Sequence, residues 1–387
     1  MSDFSTADSQ WMRRAIELAK HGNYTCMPNP RVGCVITHHN NAVGEGWHIK
    51  AGEGHAEVNA LKNAQDKARN ATAYVTLEPC SHFGRTPPCA KALIKAGITR
   101  VVVAMEDPNP LVAGKGIAML REAGISVHCG LMASEAKQLN AGFLSRISGG
   151  LPQVRAKLAM SLDGRTAMAS GESQWITGTE ARQSVQLLRA ESSAIITGIG
   201  SILHDNSSLT VRPDEMPSME QGWPSIQQIC QTQPLRVVLD SHLQTPADAK
   251  VIQGSGHCLI ITTETAHLNK IQQLEQAGAE IFIQPQAQGH IHLRSVLEEL
   301  ARRQCNDVLV ESGATLAGAF LQAQLLDQLI IFMAPILMGS QARPLMTLPL
   351  SKMADKYALN IQGICPVGRD WRIIATPATI TDGHTTT

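Results

Sequence analysis

The chain of 387 residues has no excess of either charge: 33 basic and 33 acidic residues cancel, giving a formal net charge of +0 and a pI ≈ 7.2. Proteins that grip nucleic acid through its phosphates carry a basic surplus or stripe, and its absence here points to small-molecule substrates rather than nucleic acid. Long apolar runs are missing as well. The most apolar stretch, Leu329–Met338, is interrupted by Pro335 and is too short to cross a bilayer, so no membrane contact is expected. Met1-Ser2-Asp3-Phe4-Ser5 lacks the basic-then-apolar pattern of a leader. Seven of the nine cysteines (Cys26, Cys34, Cys129, Cys230, Cys258, Cys305 and Cys365) show no paired spacing. That excludes a disulfide framework and fits reduced, partly buried thiols in a cytoplasmic protein. No Gly-x-Gly-x-x-Gly follows the first strand of the second half, so no dinucleotide site declares itself there by motif alone.

The other two cysteines belong to a pattern. His55-Ala56-Glu57 is followed by Glu78-Pro79-Cys80 and then, after eight residues, by Cys89. One imidazole and two thiolates form a three-ligand zinc shell whose fourth tetrahedral position is left for water, as in catalytic rather than structural sites. Glu57, two residues from His55, would not be a ligand. In zinc-dependent nucleobase deaminases a glutamate so placed shuttles protons, while the metal lowers the pKa of its water so that hydroxide attacks the amino-bearing ring carbon. A non-catalytic zinc module used for interaction is the competing class, and the presence of Glu57 argues against it.

At this length two domains are expected. Asp8 is positioned to cap a first helix with Met12, Ala15, Ile16 and Ala19 on one face. Strands Val32–Ile36, Ala73–Leu77 and Val101–Ala104 alternate with helical patterns over His55–Ala68, Ala90–Ala96, Lys115–Ala123 and onward from Ser134. Ser148-Gly149-Gly150-Leu151-Pro152 breaks either regular structure, and the alternation then restarts with Val154–Met160, Ala194–Thr197, Leu235–Leu239, Leu259–Thr262 and Val308–Val310 as strands. The expectation is a first α/β domain over 1–147, a linker over 148–152, a second α/β domain over 153–378 and a disordered tail over 379–387. Residues 216–233 read as an irregular surface excursion. With no element running through Gly149-Gly150, the halves are expected to be separable.

Several phrases together resemble the family of bifunctional riboflavin-biosynthesis deaminase–reductases. They are Pro28-Asn29-Pro30-Arg31-Val32-Gly33, His48, His55-Ala56-Glu57 and the whole run from Glu78 to Cys89 in the first half. In the second half they are Lys157 to Arg165, Trp175-Ile176-Thr177-Gly178 and Glu311 to Gly318. The resemblance implies a cytidine-deaminase-like α/β/α sandwich followed by a dihydrofolate-reductase-like α/β domain. The first would deaminate 2,5-diamino-6-ribosylamino-4(3H)-pyrimidinone 5′-phosphate with one zinc per chain. The second would use NADPH to reduce the ribosyl group of 5-amino-6-(5-phosphoribosylamino)uracil to ribityl. A homo-oligomer is expected. A zinc deaminase of another pyrimidine or pterin, carrying a reductase-like domain that only binds, is the alternative.

By the same resemblance His55, Cys80 and Cys89 would hold zinc, and Glu57 would be catalytic. Asn29, otherwise a turn former, would meet the pyrimidine ring. His48 and His82 are candidates for substrate or phosphate, and Arg85 for the phosphate, which guanidinium binds bidentately. NADPH would meet Ala159, Trp175, Ser201, Asp205 and the segment Gly313, Ala314, Thr315 and Leu316. Ser173, Arg189, Leu209, Arg212 and Glu311 would hold the substrate, with Lys157 near the reacting sugar. One departure stands out: where the family usually reads Asp-Asp-Pro, this chain has Asp205-Asn206-Ser207. A lost charge and a lost proline are expected to loosen that loop.

Overall fold

The computed structural model describes residues 4–81, 88–109, 113–264, 266–284 and 290–378. Close contacts divide the chain into two units: Met1–Leu151 together with Met219–Ile229, and Pro152–Ser218 together with Cys230–Thr387.

In the first unit short aliphatic and β-branched runs form five strands: β1 (Gly33–His38), β2 (Asn41–Trp47), β3 (Thr72–Val75), β4 (Arg100–Val103) and β5 (Ser126–Cys129). They lie in the order β2-β1-β3-β4-β5; β1 is antiparallel to both neighbours, and β3, β4 and β5 run parallel. The helices are α1 (Thr6–Lys20), α2 (Ala56–Ala64), α3 (Cys89–Lys95), α4 (Lys115–Glu122), α5 (Ala133–Leu139) and α6 (Ala141–Ile147). Gly33 and Cys34 are consecutive in β1 and so face opposite sides of the sheet. Gly33 abuts α1, where an added Cβ would fall 1.9 Å from the Ala15 carbonyl oxygen. Gly46, the cross-strand neighbour of Cys34, abuts α2, where a Cβ would fall 2.4 Å from the Ala60 nitrogen. Helices therefore cover both faces, which makes the unit an α/β/α sandwich around a core that includes Met12, Val35, Ile36, Leu93, Val102 and Leu120.

Capping at the start of α1 differs from the sequence reading. Ser5 is the N-cap and Asp8 is the third helical residue; each accepts from the other's backbone N–H, at 3.1 and 2.9 Å. Asp8 is thereby free to take a bidentate pair from Arg100 and a 2.8 Å hydrogen bond from the Tyr74 hydroxyl, tying α1 to β3 and β4. The helix expected over His55–Ala68 ends at Ala64, because Gln65 adopts φ +50 and a 3₁₀ turn follows.

The second unit is built on a nine-stranded sheet. Its strands, with a short pair beside it, are β6 (Gln153–Ser161), β7 (Arg165–Ala167), β8 (Ala194–Gly198), β9 (Leu235–Leu239), β10 (Cys258–Thr263), β11 (Ala279–Gln284), β12 (Asp307–Glu311), β13 (Gln328–Ala334), β14 (Arg343–Pro344), β15 (Leu359–Val367) and β16 (Asp370–Pro377). The sheet order is β11-β10-β9-β8-β12-β6-β13-β16-β15, parallel from β11 to β13 and antiparallel beyond, with β7 and β14 paired separately. β10 and β12 are buried along their whole length, as parallel strands covered on both faces must be. Connecting helices are α7 (Thr179–Ala190), α8 (Ile199–Asp205), α9 (Ile226–Cys230), α10 (Lys250–Gln253), α11 (Leu268–Gln276), α12 (Leu293–Arg302) and α13 (Ala314–Gln322). The stretch expected to be irregular over 216–233 thus contains α9, and most of it groups with the first unit. The tail over 379–387 lies outside the described residues.

Candidate active sites

The ends of two helices and one strand-to-helix turn bring His55, Cys80 and Cys89 together. His55 is the N-cap of α2 and Cys89 opens α3. Their ligand atoms and the Cys80 sulfur all lie within 4.8 Å of one another. His55 Nδ1 is 3.2 Å from Cys89 Sγ and 3.6 Å from Cys80 Sγ, and the Cys89 backbone N–H donates to Cys80 Sγ at 3.3 Å. Tetrahedral zinc, at ligand distances of about 2.0–2.3 Å, sets its ligands roughly 3.5–3.8 Å apart, so one imidazole nitrogen and two sulfurs fit that ion in number, type and spacing. Hydrogen bonding from the Cys89 thiol holds Cys80 well below the ordinary thiol range, at about 4, and the same bond drives Cys89 far above it. Two thiols this close ionise together only when a cation lies between them. Glu57, in the first turn of α2, is buried, and burial pushes its carboxyl up to about 7.

The Glu78 carboxylate, to which the sequence reading assigned no role, holds this arrangement in place. It is buried and accepts four backbone N–H groups: Asp107 at 3.2 Å and Gly114 at 2.9 Å on one oxygen, Gly116 at 2.8 Å and Ile117 at 3.2 Å on the other. Gly116 and Ile117 supply orphan donors at the start of α4, where a negative charge is favoured. The approach is so close that a Cβ on Gly116 would sit 1.8 Å from the Pro79 carbonyl oxygen. Its signal in the sequence was an acidic residue two places before a metal-binding cysteine with no chemistry of its own to perform.

Beside the His55, Cys80 and Cys89 cluster, Asn29 and His48 pair directly. His48 is buried, with Nδ1 3.3 Å from the Gly54 carbonyl and Nε2 3.0 Å from Asn29 Nδ2. A carbonyl only accepts, so Nδ1 carries the proton and the bare Nε2 accepts from the Asn29 amide. The neutral ring this requires is favoured by burial, which lowers the His48 pKa. Among the described residues no hydrogen bond engages the Asn29 amide oxygen, an acceptor. The His48 and His55 rings meet edge to face with centroids 5.3 Å apart. The loop bearing Asn29 is clamped by reciprocal 2.8 Å bonds between the Arg31 backbone and the Asn140 side chain. Asn59 of α2 donates to the Trp47 carbonyl at 2.8 Å and to that of Gly54 at 3.1 Å. Arg85 and His82 lie outside the described residues.

In the second unit, Lys157, Arg189 and Glu311 converge. Arg189 donates bidentately to Glu311 at 2.6 and 3.0 Å, Lys157 Nζ lies 3.4 Å from the same carboxylate, and Arg189 also donates to the Thr210 carbonyl at 3.0 Å. Burial alone would push the Glu311 carboxyl up, but Arg189 and Lys157 outweigh it and hold it near about 2. Arg212 is engaged by Glu215 at 2.7 and 2.5 Å, and Gln186 bonds to both of them. The turns after β8 and β12 are neighbours: a Cβ on Gly198 would stand 3.6 Å from Leu316 Cδ2. Gly313 caps α13, whose first-turn N–H groups at the carboxyl end of a parallel strand are suited to a cofactor phosphate. Ser201 lies in α8 and Asp205 at its end, Ala159 is in β6, and Ser173 is half-buried. Trp175 is 65% exposed, with the Arg182 guanidinium 4.8 Å from its ring centroid. The Leu209 side chain is in the hydrophobic core, which leaves only its backbone for a ligand. Asp163, ionised by hydrogen bonds from Ser161 and from the backbone N–H groups of Gly339 and Met338, ties the end of β6 to that later loop.

Asn206 explains part of the departure from the family pattern. It sits at φ +43 just past α8, a conformation asparagine tolerates better than most residues, and its side-chain oxygen accepts the Lys250 N–H at 2.9 Å. Where the sequence led us to expect a loosened loop, this bond anchors it to α10.

The comparisons cover both halves. Residues 152–373 match the model of the RibD C-terminal domain and residues 5–105 that of the cytidine and deoxycytidylate deaminase zinc-binding region. The riboflavin biosynthesis protein RibD of Escherichia coli (strain K12) is 49% identical over 364 residues, 94% of this chain and 97% of that protein. Among solved structures, Acinetobacter baumannii RibD, form 1, matches with a TM-score of 0.86 at 45% identity, covering 96% of this chain and 99% of the other. A diaminohydroxyphosphoribosylaminopyrimidine deaminase/5-amino-6-(5-phosphoribosylamino)uracil reductase from Thermotoga maritima matches with a TM-score of 0.81 at 30% identity, covering 96% and 99%.

Two outcomes follow from this geometry. Cys89→Ser removes one of three ligands, so metal analysis should find the zinc lost while NADPH still binds; full zinc occupancy in the variant would overturn the ligand set. Glu311 has a folded pKa below the ordinary glutamate value of 4.5, so the stability it contributes is in place above that pH and is lost as pH falls towards about 2. The loss should be on the order of 3 kcal/mol. It should show as an acid-induced fall in the melting temperature of the reductase half, and Glu311→Gln should flatten that slope.

Proposed function

The chain belongs to the RibD family of riboflavin biosynthesis and is a bifunctional enzyme with zinc-dependent deaminase and NADPH-dependent pyrimidine reductase activities; on that premise we propose which residues carry each activity and on what substrates. The deaminase acts on 2,5-diamino-6-ribosylamino-4(3H)-pyrimidinone 5′-phosphate, and the reductase on the ribosyl group of 5-amino-6-(5-phosphoribosylamino)uracil. The name of the Thermotoga maritima relative supports this pair. With both halves matched along most of the chain, nothing favours a reductase-like domain that only binds.

In the deaminase half, His55 Nδ1, Cys80 and Cys89 hold the zinc. When bound, zinc lowers the pKa of a coordinated water towards neutrality. Glu57, kept out of bulk water in the first turn of α2, takes a proton from the attacking water and returns it to the leaving amino nitrogen. Asn29, its amide oriented by the neutral His48, accepts from the N–H edge of the pyrimidine, and Arg85 takes the phosphate. The observation that carries this reading is the set of three ligand atoms within 4.8 Å of one another with a buried carboxylate two residues from the histidine.

In the reductase half NADPH, when bound, supplies the reducing equivalent. The backbone at Gly313, Ala314, Thr315 and Leu316 cradles its phosphates, with Ser201, Asp205, Ala159 and Trp175 completing the cofactor side. Arg189, held by Glu311, together with Ser173, Arg212 and the Leu209 backbone, fixes the sugar phosphate. Lys157 places a positive charge at the end of β12, where the ring-opened, imine-like sugar must be oriented towards the nicotinamide. Residues 1–147, 148–152 and 153–378 serve as deaminase, linker and reductase. Among the described residues no helix is long and apolar enough to cross a membrane, and the balanced charge supports a cytoplasmic enzyme of small molecules that does not bind nucleic acid. Exposed Leu359, Ile361 and Ile364 on the edge strand β15, with Trp371 beside it, support a homo-oligomer.

The test of function follows ammonia release and NADPH absorbance together on the diaminopyrimidine phosphate. Ammonia should appear first and NADPH oxidation should depend on it. Glu57→Gln should keep zinc and lose ammonia release by about 10²–10⁴-fold; near-parental release would remove Glu57 from the mechanism. Light scattering should give a mass at least twice that of the 41.6 kDa chain, and a monomer would refute the oligomer.

A further inference from the structure

Met219–Ile229 is encoded between elements of the second unit, yet it belongs by its contacts to the first. The segment is built to present an indole. The Trp223 backbone N–H donates to the Glu220 carbonyl at 3.2 Å across a turn in which Gly222 adopts φ +93. Ser225 and Gln228 then cap one another, at 2.8 and 3.3 Å, and start α9. Trp223 lies against two rings of the first unit, His21 with centroids 4.6 Å apart and Tyr24 at 5.9 Å. His21 in turn meets Trp47 edge to face at 4.9 Å.

These rings adjoin the Asn29–His48 pair. Trp47 immediately precedes His48, and Gly22, the residue after His21, comes so near His48 that an added Cβ would stand 3.0 Å from its carbonyl oxygen. His21 Nδ1, Asn23 Oδ1, Thr25 Oγ1 and Trp47 Nε1 are all buried without a partner among the described residues. Ring packing, in the 4.5–7 Å range where aromatic pairs attract, adds to the backbone hydrogen bonds that Thr25 and Cys26 donate to the Gly22 carbonyl at 3.3 and 3.2 Å.

We infer that Trp223 is a positioning residue for deamination: a strap encoded within the reductase half completes the wall that orients Asn29 and His48. The inference rests on the assignment of those two residues to substrate made above. It also amends the expectation of separable halves, because a fragment beginning at Leu151 would carry the strap away from the unit it packs on. Among the described residues no hydrogen bond or ring contact joins Trp223 to His55, Cys80, Cys89 or Glu57, so its loss weakens substrate binding rather than the chemical step.

The test uses the full chain with Trp223→Ala, Trp223→Phe and Asn29→Ala. Trp223→Ala should raise the deaminase KM about 3- to 10-fold, the effect of one misplaced hydrogen bond, with kcat within about twofold. Zinc content and reductase kcat/KM should match the parent, and Trp223→Phe should restore the deaminase KM. A parental KM in Trp223→Ala, with a raised KM in Asn29→Ala, overturns the strap's role. Loss of zinc, or a fall in kcat that phenylalanine does not restore, makes Trp223 a folding residue and overturns it as well. An unchanged KM in Asn29→Ala overturns the assignment of the wall, and the inference with it.

Discussion

Two thiols and an imidazole with donor atoms within 4.8 Å of one another cannot all carry their metal-binding charge unless a cation shares the space. Much of the first unit meets the conditions such a cluster imposes. His55 and Cys89 sit where α2 and α3 begin, and the Cys89 backbone N–H at the start of α3 donates to the Cys80 sulfur. Cys80 has no helix of its own, and its position depends on Glu78 two residues earlier. That carboxylate gathers four N–H groups from the start of α4 and the loop before it. Metal binding and the packing of α4 on the Pro79 backbone are therefore one structural event.

The second unit meets a comparable problem without a metal. A buried carboxylate at the end of β12 would be costly alone, and it is held ionised by Arg189 and Lys157. Such a buried cluster rarely adds net stability over an apolar substitute. Its value lies in placement: it fixes two cations where the parallel strands end and where ligands of open α/β sheets bind. Arg212 is held less tightly, by the half-exposed Glu215.

The chemistry-bearing residues of the first unit were legible because zinc coordination restricts both residue type and chain order. His-x-Glu followed by Pro-Cys and a second cysteine has few other uses. Strands β1, β8, β9, β10 and β12 were legible from continuous β-branched and aliphatic runs. The strands β15 and β16 were not, since their exposed face mixes Ile361 and Ile364 with Gln362, Gly363 and Pro366 and breaks any alternation. The structural roles of Glu78, Asn140 and Gln186 could not be read either. Their partners are backbone groups or side chains tens of residues away, and no spacing rule records them.

The sequence by itself determined two α/β units and the family to which the motifs belong, and it named the candidate metal ligands and the candidate proton-carrying glutamate. These depend on local periodicity and on residue chemistry, both of which are written in the chain. Only the tertiary structure decided that Arg189 binds Glu311, that Asn29 sets and is set by the tautomer of His48, and that Leu209 turns its side chain to the core. It alone decided that Trp223, about 200 residues from His21, packs on the His21 and Tyr24 rings. Each of these depends on where the backbone returns after a long excursion, and that is fixed by the packing of whole elements rather than by any neighbouring residue.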